Sequence, residues 1–110
     1  MEAVVRDGHR VWYAATMGKL NDSIRSAITA DRLLVSSHAD DMFRDRGIAM
    51  WQVIAGMSKA KLLIERPRSL PNPVAEYELI LSDGTPVKAV WSYIGSLDVA
   101  KLVTVHFFDR

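Results

Sequence analysis

The stretch Ala75-Glu76-Tyr77-Glu78-Leu79-Ile80-Leu81-Ser82-Asp83-Gly84-Thr85-Pro86-Val87-Lys88-Ala89-Val90-Trp91 decides the fold. Successive side chains of an extended chain point to opposite faces, so Ala75, Tyr77, Leu79 and Leu81 share one side and Glu76 and Glu78 the other. Ser82 to Thr85 then reads as a tight turn, because Asp-Gly accepts the positive backbone angles that short hairpin loops need. The return strand covers Pro86 to Ile94. An antiparallel hairpin is expected.

Outward from this hairpin the pattern changes by steps. Downstream, Val99 to Phe108 is rich in β-branched and aromatic residues and reads as a further strand. Upstream, Arg68 to Val74 contains Pro71 and Pro73, which suit a loop or a sheet-edge connection. Leu62 to Glu65 reads as an earlier strand, ended by Pro67. Before Lys61 the period becomes helical. Leu20, Ile24, Ala27 and Ile28 predict a helix over 18–30, with Leu33, Leu34 and Val35 as a short apolar link after it. Ser37-His38-Ala39-Asp40 has the form of a capping box that opens a second helix. That helix should run to Arg46 and stop at Gly47, a natural left-handed terminator. Ile48 to Met57 resumes the helical period, with Gly56 weakening its end. Ala3 to Ala14 reads as a small hairpin or a docked arm. The order predicts a single α+β domain over 1–110, with N-terminal helices packed on a three- to four-stranded antiparallel sheet.

Composition narrows the function classes. The apolar content of 49% and charged content of 25% are those of a folded domain. There is no cysteine, which excludes disulfides, thiolate metal sites and cysteine nucleophiles. The apolar runs are short and broken by charge, so no membrane span is expected. The start, MEAVVRDGHR, lacks an apolar signal core, and a cytoplasmic protein is expected. Net charge is only +1, but it is unevenly spread. Between Arg44 and Arg68 lie six bases (Arg44, Arg46, Lys59, Lys61, Arg66, Arg68) against Asp45 and Glu65. Such a segment either forms a basic surface or scatters its charges into solvent.

The groups able to carry chemistry are few. His9, His38 and His106 are the side chains that titrate near neutrality. His38 falls in the first turn of a helix, where it is either a neutral base or a polar residue packed near Trp51. His106 points away from the face of Val105 and Phe107, so it is either a solvent-lined acid or base or a core residue. Arg46 follows His38 by eight positions and projects from a similar face. A guanidinium beside an imidazole suits a site that grips a phosphate while a proton moves. Glu65 and Lys88 either complete that cluster on the sheet or form an ordinary cross-strand pair. The chain has no phosphate-binding glycine loop, no nucleophile elbow and no zinc-type histidine pair.

The segment His38-Ala39-Asp40-Asp41-Met42-Phe43-Arg44-Asp45-Arg46-Gly47-Ile48 resembles the signature H-A-x-x-R-M-x-x-R-G-I. That pattern belongs to a family of small bacterial proteins of unknown function that is similar to the RelE, MqsR and BrnT toxins. The likeness extends through Leu63-Ile64-Glu65 with Pro67, the proline loop, Leu79 to Gly84 and Val103-Thr104-Val105. It covers residues 33 to 109, leaving 1–32 as a variable arm and helix. Two positions depart: Met42 replaces the family's first arginine, and His106 a tyrosine common in its last strand. The resemblance implies a RelE-like sheet and a metal-independent endoribonuclease that needs no cofactor. Its substrate would be mRNA and its partner a cognate antitoxin protein, with a homodimer as the assembly the reading allows. Carried onto this chain, His38 and His106 would transfer protons, Arg46 and Lys88 grip the scissile phosphate, and Glu65 orient or activate. Arg44, Lys61, Arg66 and Arg68 would hold the RNA backbone, and Trp91 or Tyr93 stack a base. The alternative is a non-catalytic interaction or regulatory domain on the same fold. The nuclease reading requires His38, Arg46 and His106 to converge on one wet patch.

Overall fold

A computed structural model of the chain describes residues 18–108. The arm or hairpin expected over Ala3–Ala14 lies outside the described residues. Three helices and five strands follow in the order α1 (Lys19–Thr29), β1 (Leu33–Val35), α2 (Ser37–Arg46), α3 (Met50–Met57), β2 (Lys61–Arg66), β3 (Val74–Ile80), β4 (Pro86–Ile94) and β5 (Val99–Phe107). The architecture is α+β. The strands form one sheet in the order β1-β5-β4-β3-β2.

One apolar face organises the packing. Ala75, Tyr77 and Leu79 of β3, Val87, Ala89 and Trp91 of β4, and Ala100, Leu102 and Val105 of β5 are all buried. They join Ile24, Ala27 and Ile28 of α1, Ala39 and Phe43 of α2, and Val53 and Met57 of α3 in a single core. Helix α1 lies over β4 and β5, α2 over β5, and α3 over β3. No described helix lies on the opposite sheet face.

Three features correct the sequence expectation. Leu33-Leu34-Val35 is not a link but a strand, and it pairs parallel to Ala100-Lys101-Leu102. The sheet is therefore five-stranded and mixed rather than three- or four-stranded and antiparallel. A three-residue apolar run is too short to show a period, so its pairing was invisible locally. Secondly, the cap of α2 is Ser36 rather than Ser37. Its hydroxyl accepts the Ala39 backbone N–H at 3.0 Å and donates to the Val103 carbonyl at 2.6 Å, so one side chain starts the helix and fastens it to β5. The third helix begins at Met50 rather than Ile48, and its first turn is helped by Gln52, whose amide oxygen accepts the Ala49 N–H at 2.9 Å.

Other expectations hold. Gly47 ends α2 with φ +68°, and its N–H reaches the Phe43 carbonyl. The hairpin register pairs Ile80 with Pro86, Glu78 with Lys88 and Glu76 with Val90. Two bulges complicate the flanking strands. Pairing slips at Leu63 in β2 and at Val103 in β5, and each slip changes which residues beyond it share a face.

Candidate functional site

The sheet face away from the helices carries the polar chemistry. Antiparallel register aligns Lys61, Glu78, Lys88 and His106 in one row across β2, β3, β4 and β5. The next row is Ile64, Glu76, Val90 and Thr104, and the third is Arg66, Val74, Ser92 and Lys101. Directly opposed residues have Cβ atoms about 5 Å apart, so neighbours in a row are within side-chain reach. Five groups that carry or can carry positive charge thus share a face with two carboxylates.

Glu76 is the most engaged of these groups. Its two oxygens meet two different cations: Oε2 accepts from Arg66 Nε at 3.3 Å and Oε1 from Lys88 Nζ at 3.3 Å. The side chain is only 17% exposed. Burial alone would raise its carboxyl pKa, but the hydrogen bonds and charges of Lys88 and Arg66 together outweigh burial and hold it below the usual value. Glu76 therefore stays ionised at neutral pH.

The residues singled out from sequence divide between this face and other places. Lys88, His106, Lys61 and Arg66 share the face. His106 and Lys61 are exposed, and Lys88 is half-buried. Glu65 is elsewhere. The bulge at Leu63 turns it toward the helices, where its Oε2 accepts the Asn21 N–H at 2.9 Å. Lys88 is paired with Glu76 instead. Asn21 also links to Arg25 and Tyr77: Arg25 Nε donates to Asn21 Oδ1 at 2.9 Å, and the Tyr77 hydroxyl donates to the same oxygen at 2.7 Å. The Arg25 guanidinium further binds the Met57 and Ala60 carbonyls at 2.8 Å each, tying α1 to the end of α3.

His38, Arg46 and His106 do not converge. His38 is exposed at the second position of α2, whose start is fixed near Val103. Arg46 ends the same helix, eight residues or about 12 Å along its axis, with its guanidinium 5.4 Å from the Phe107 ring centroid. Phe107 belongs to the helix side of β5, and His106, its neighbour, to the other. Arg44 is exposed and paired with Asp40 at 2.7 Å and with Asp41. Arg68 is exposed in the loop between β2 and β3.

The two aromatic candidates for base stacking are committed to packing. Trp91 is fully buried in the core. Tyr93 packs against the core, and its hydroxyl donates to Asp98 Oδ1 at 2.5 Å, a bond that with partial burial raises its pKa. Asp98 is held in turn by Arg32, 3.1 Å away.

Sequence reasoning passed over Glu76 and Glu78, although a signal was present. Counting back from the Asp83-Gly84 turn places Glu78 opposite Lys88. Among the described residues no cluster of His, Asp or Glu is arranged to hold a metal, and no helix is long and apolar enough to cross a membrane. Compared with protein-family models, curated proteins and solved structures, the chain finds no match in any of the three.

Proposed function

We propose that the sheet face bearing Lys61, Glu78, Lys88 and His106 binds and cuts RNA, as a metal-independent endoribonuclease of the toxin–antitoxin kind with a RelE-like plan. The observation that carries this reading is the four-residue row itself: a carboxylate and an imidazole flank an ammonium on one face, two strand intervals apart. Strands are spaced about 4.8 Å apart, so the two proton-transfer groups straddle a gap of about 10 Å, room for one phosphodiester held at Lys88. Glu78 takes the proton of the ribose 2′-hydroxyl, whose oxygen attacks phosphorus. The bond to the leaving 5′-oxygen breaks, and His106 supplies its proton. A 2′,3′-cyclic phosphate and a 5′-hydroxyl result. Lys88, Lys61 and Arg66 balance the phosphate charge.

The convergence of His38, Arg46 and His106 that the sequence-based assignment required is not met, so this reading rests on a different set of residues: Glu78 takes the part that sequence offered to Glu65, and His106 acts without His38. Purified protein incubated with single-stranded RNA in the presence of a chelator should leave cyclic-phosphate ends. His106→Ala and Glu78→Gln should abolish cleavage, and His38→Ala should leave it unchanged. Induced expression in bacteria should arrest growth, and a cognate antitoxin should relieve it in the cytoplasm. Intact RNA together with harmless expression would overturn the nuclease reading.

A second reading rests on the separation of His38 from His106. With one imidazole on the face, the same residues suffice for a non-catalytic binding domain. Trp51, 63% exposed, and Ile80, 54% exposed, line one groove between α3 and the end of β3, an apolar surface suited to a protein partner. This domain would bind RNA or protein without cutting, and His106→Ala would leave its behaviour intact.

A further inference from the structure

Glu76 lies between two cations on a face proposed to bind phosphate, and its role there is open to two opposite accounts. As an anion it can compete with a phosphate for Arg66 and Lys88. Alternatively it can hold those cations in place for one. The geometry distinguishes them. Each carboxylate oxygen serves a different cation, Oε2 the Arg66 Nε and Oε1 the Lys88 Nζ, both at 3.3 Å. Arg66 stands on β2 and Lys88 on β4, on either side of the strand that carries Glu76. One carboxylate therefore fixes two long, rotamer-rich side chains across two strand intervals.

The bonds to Glu76 also leave donors over. The Arg66 contact uses Nε, so neither Nη group is spent on Glu76. The Lys88 ammonium has three donors and gives one to Glu76. Glu76 is mostly covered, whereas the Arg66 side chain is 53% exposed and the Lys88 side chain 32%. A second anion can approach over Glu76 without displacing it.

We infer that Arg66, Glu76 and Lys88 form a phosphate clamp in which Glu76 is the positioning residue and the two cations are the contacts. The inference deepens the nuclease reading and rests on it for the identity of the ligand, a phosphodiester of single-stranded RNA. The anion-binding unit itself is a property of the three side chains. Preorganisation lowers the entropy lost when the ligand orders Arg66 and Lys88. The clamp requires that fixing two rotamer-rich side chains in advance outweigh the repulsion of one carboxylate that already faces two cations.

The two accounts differ in sign. Glu76→Gln removes one negative charge from the face, so a simple Coulomb argument predicts tighter anion binding. The clamp predicts weaker binding. Inorganic phosphate is titrated into the full chain while the Arg66 Nε–Hε and Lys88 side-chain resonances are followed by NMR. Wild type should show saturable shifts at both. Glu76→Gln should weaken phosphate binding by about fivefold with its backbone spectrum preserved. Glu78→Gln deletes the same charge without touching Arg66 and should tighten phosphate binding by about twofold. The same three proteins are then tested against a fluorescent single-stranded RNA. Glu76→Gln binding phosphate as tightly as Glu78→Gln would overturn the clamp, as would the absence of phosphate shifts at Arg66 and Lys88 in wild type. Phosphate binding with the predicted ranking but no RNA binding would uphold the clamp and overturn the nuclease reading. RNA binding with the ranking reversed would overturn the clamp, and the nuclease reading would then be upheld only by cleavage of that RNA to cyclic-phosphate ends.

Discussion

The Glu65 carboxylate accepts the backbone N–H of Asn21 at 2.9 Å, joining β2 to the first turn of α1 across 44 residues of sequence. The first N–H groups of a helix have no partner within it, and a carboxylate there also meets the positive end of the helix dipole. No side chain caps α1 at Gly18, so Glu65 does that work from another element. A charge-assisted hydrogen bond of this kind contributes about 1.5–3 kcal/mol. Glu65→Ala is expected to cost about 2 kcal/mol and Glu65→Gln about 1 kcal/mol in urea unfolding. RNA cleavage per folded molecule should not change with either. A loss of cleavage with unchanged stability would return Glu65 to the site.

Ser36 and Ser37 are adjacent and chemically identical, yet only one is bound into the fold. Ser36 caps α2 and reaches the bulged Val103 carbonyl, whereas Ser37 is exposed at the first helical position. Replacing an N-cap serine by alanine costs about 1–2 kcal/mol, and the lost bond to Val103 places Ser36→Ala toward the upper end of that range. Ser37→Ala should stay within about 0.5 kcal/mol of wild type. Comparing the two urea midpoints decides which serine is the cap. Equal effects would contradict the assignment.

Much of this architecture was legible because its signals are local. Alternation through Tyr77 and Leu79, the Asp83-Gly84 turn and the Gly47 terminator each announce themselves within a few residues. The turn also implies the hairpin register, yet the Glu78–Lys88 pairing that follows from it was passed over in favour of Glu65. What escaped depends on partners distant in sequence. The parallel strand Leu33–Val35 acquires meaning only beside Ala100–Leu102. The bulge at Leu63 is the more instructive case. Uninterrupted alternation would set Lys61, Leu63 and Glu65 on one face, with Glu65 near Lys88. The extra residue sends Glu65 to the helices and brings Ile64 and Arg66 to the polar face instead. For the same reason the helix-borne candidates His38 and Arg46 could be placed relative to each other but not relative to His106.

The Tyr77 hydroxyl offers a test through pH. Burial, as the largest influence, pushes this phenol up to about 12; Arg25 opposes the shift, and the carboxylates of Glu65 and Asp22 add to it. In the unfolded chain it ionises near 10. Below about pH 10 both states keep the proton, and the contribution is present in full. Between about 10 and 12 the unfolded state releases its proton first, so stability falls as pH rises through that window. Tyr77→Phe removes the titration and also the bond to Asn21, for a loss of about 1 kcal/mol at neutral pH. The gap between wild type and Tyr77→Phe should therefore narrow above about pH 10 when urea midpoints are compared. A gap that stays constant to about pH 12 would show that Tyr77 ionises as freely in the fold as outside it.

Gly56 of α3 faces Leu79 of β3, and two effects oppose each other there. In an exposed helix, alanine is favoured over glycine by about 1 kcal/mol. A Cβ at position 56, however, would lie 2.9 Å from Leu79 Cδ1 and 3.3 Å from Leu79 Cβ. Leu79 is 2% exposed and packed in the core, so it has little room to turn away. Overpacking of this kind costs about 1–3 kcal/mol, which exceeds the helical gain. Gly56→Ala is expected to destabilise the protein by about 1 kcal/mol, or a little more. The cause can be isolated by a double-mutant cycle. In a Leu79→Ala background the 2.9 Å contact with Cδ1 is gone and only the tight 3.3 Å contact with Cβ remains, so the same Gly56→Ala change should cost clearly less than in wild type. Additive effects in the two backgrounds would mean that Leu79 is not what constrains position 56.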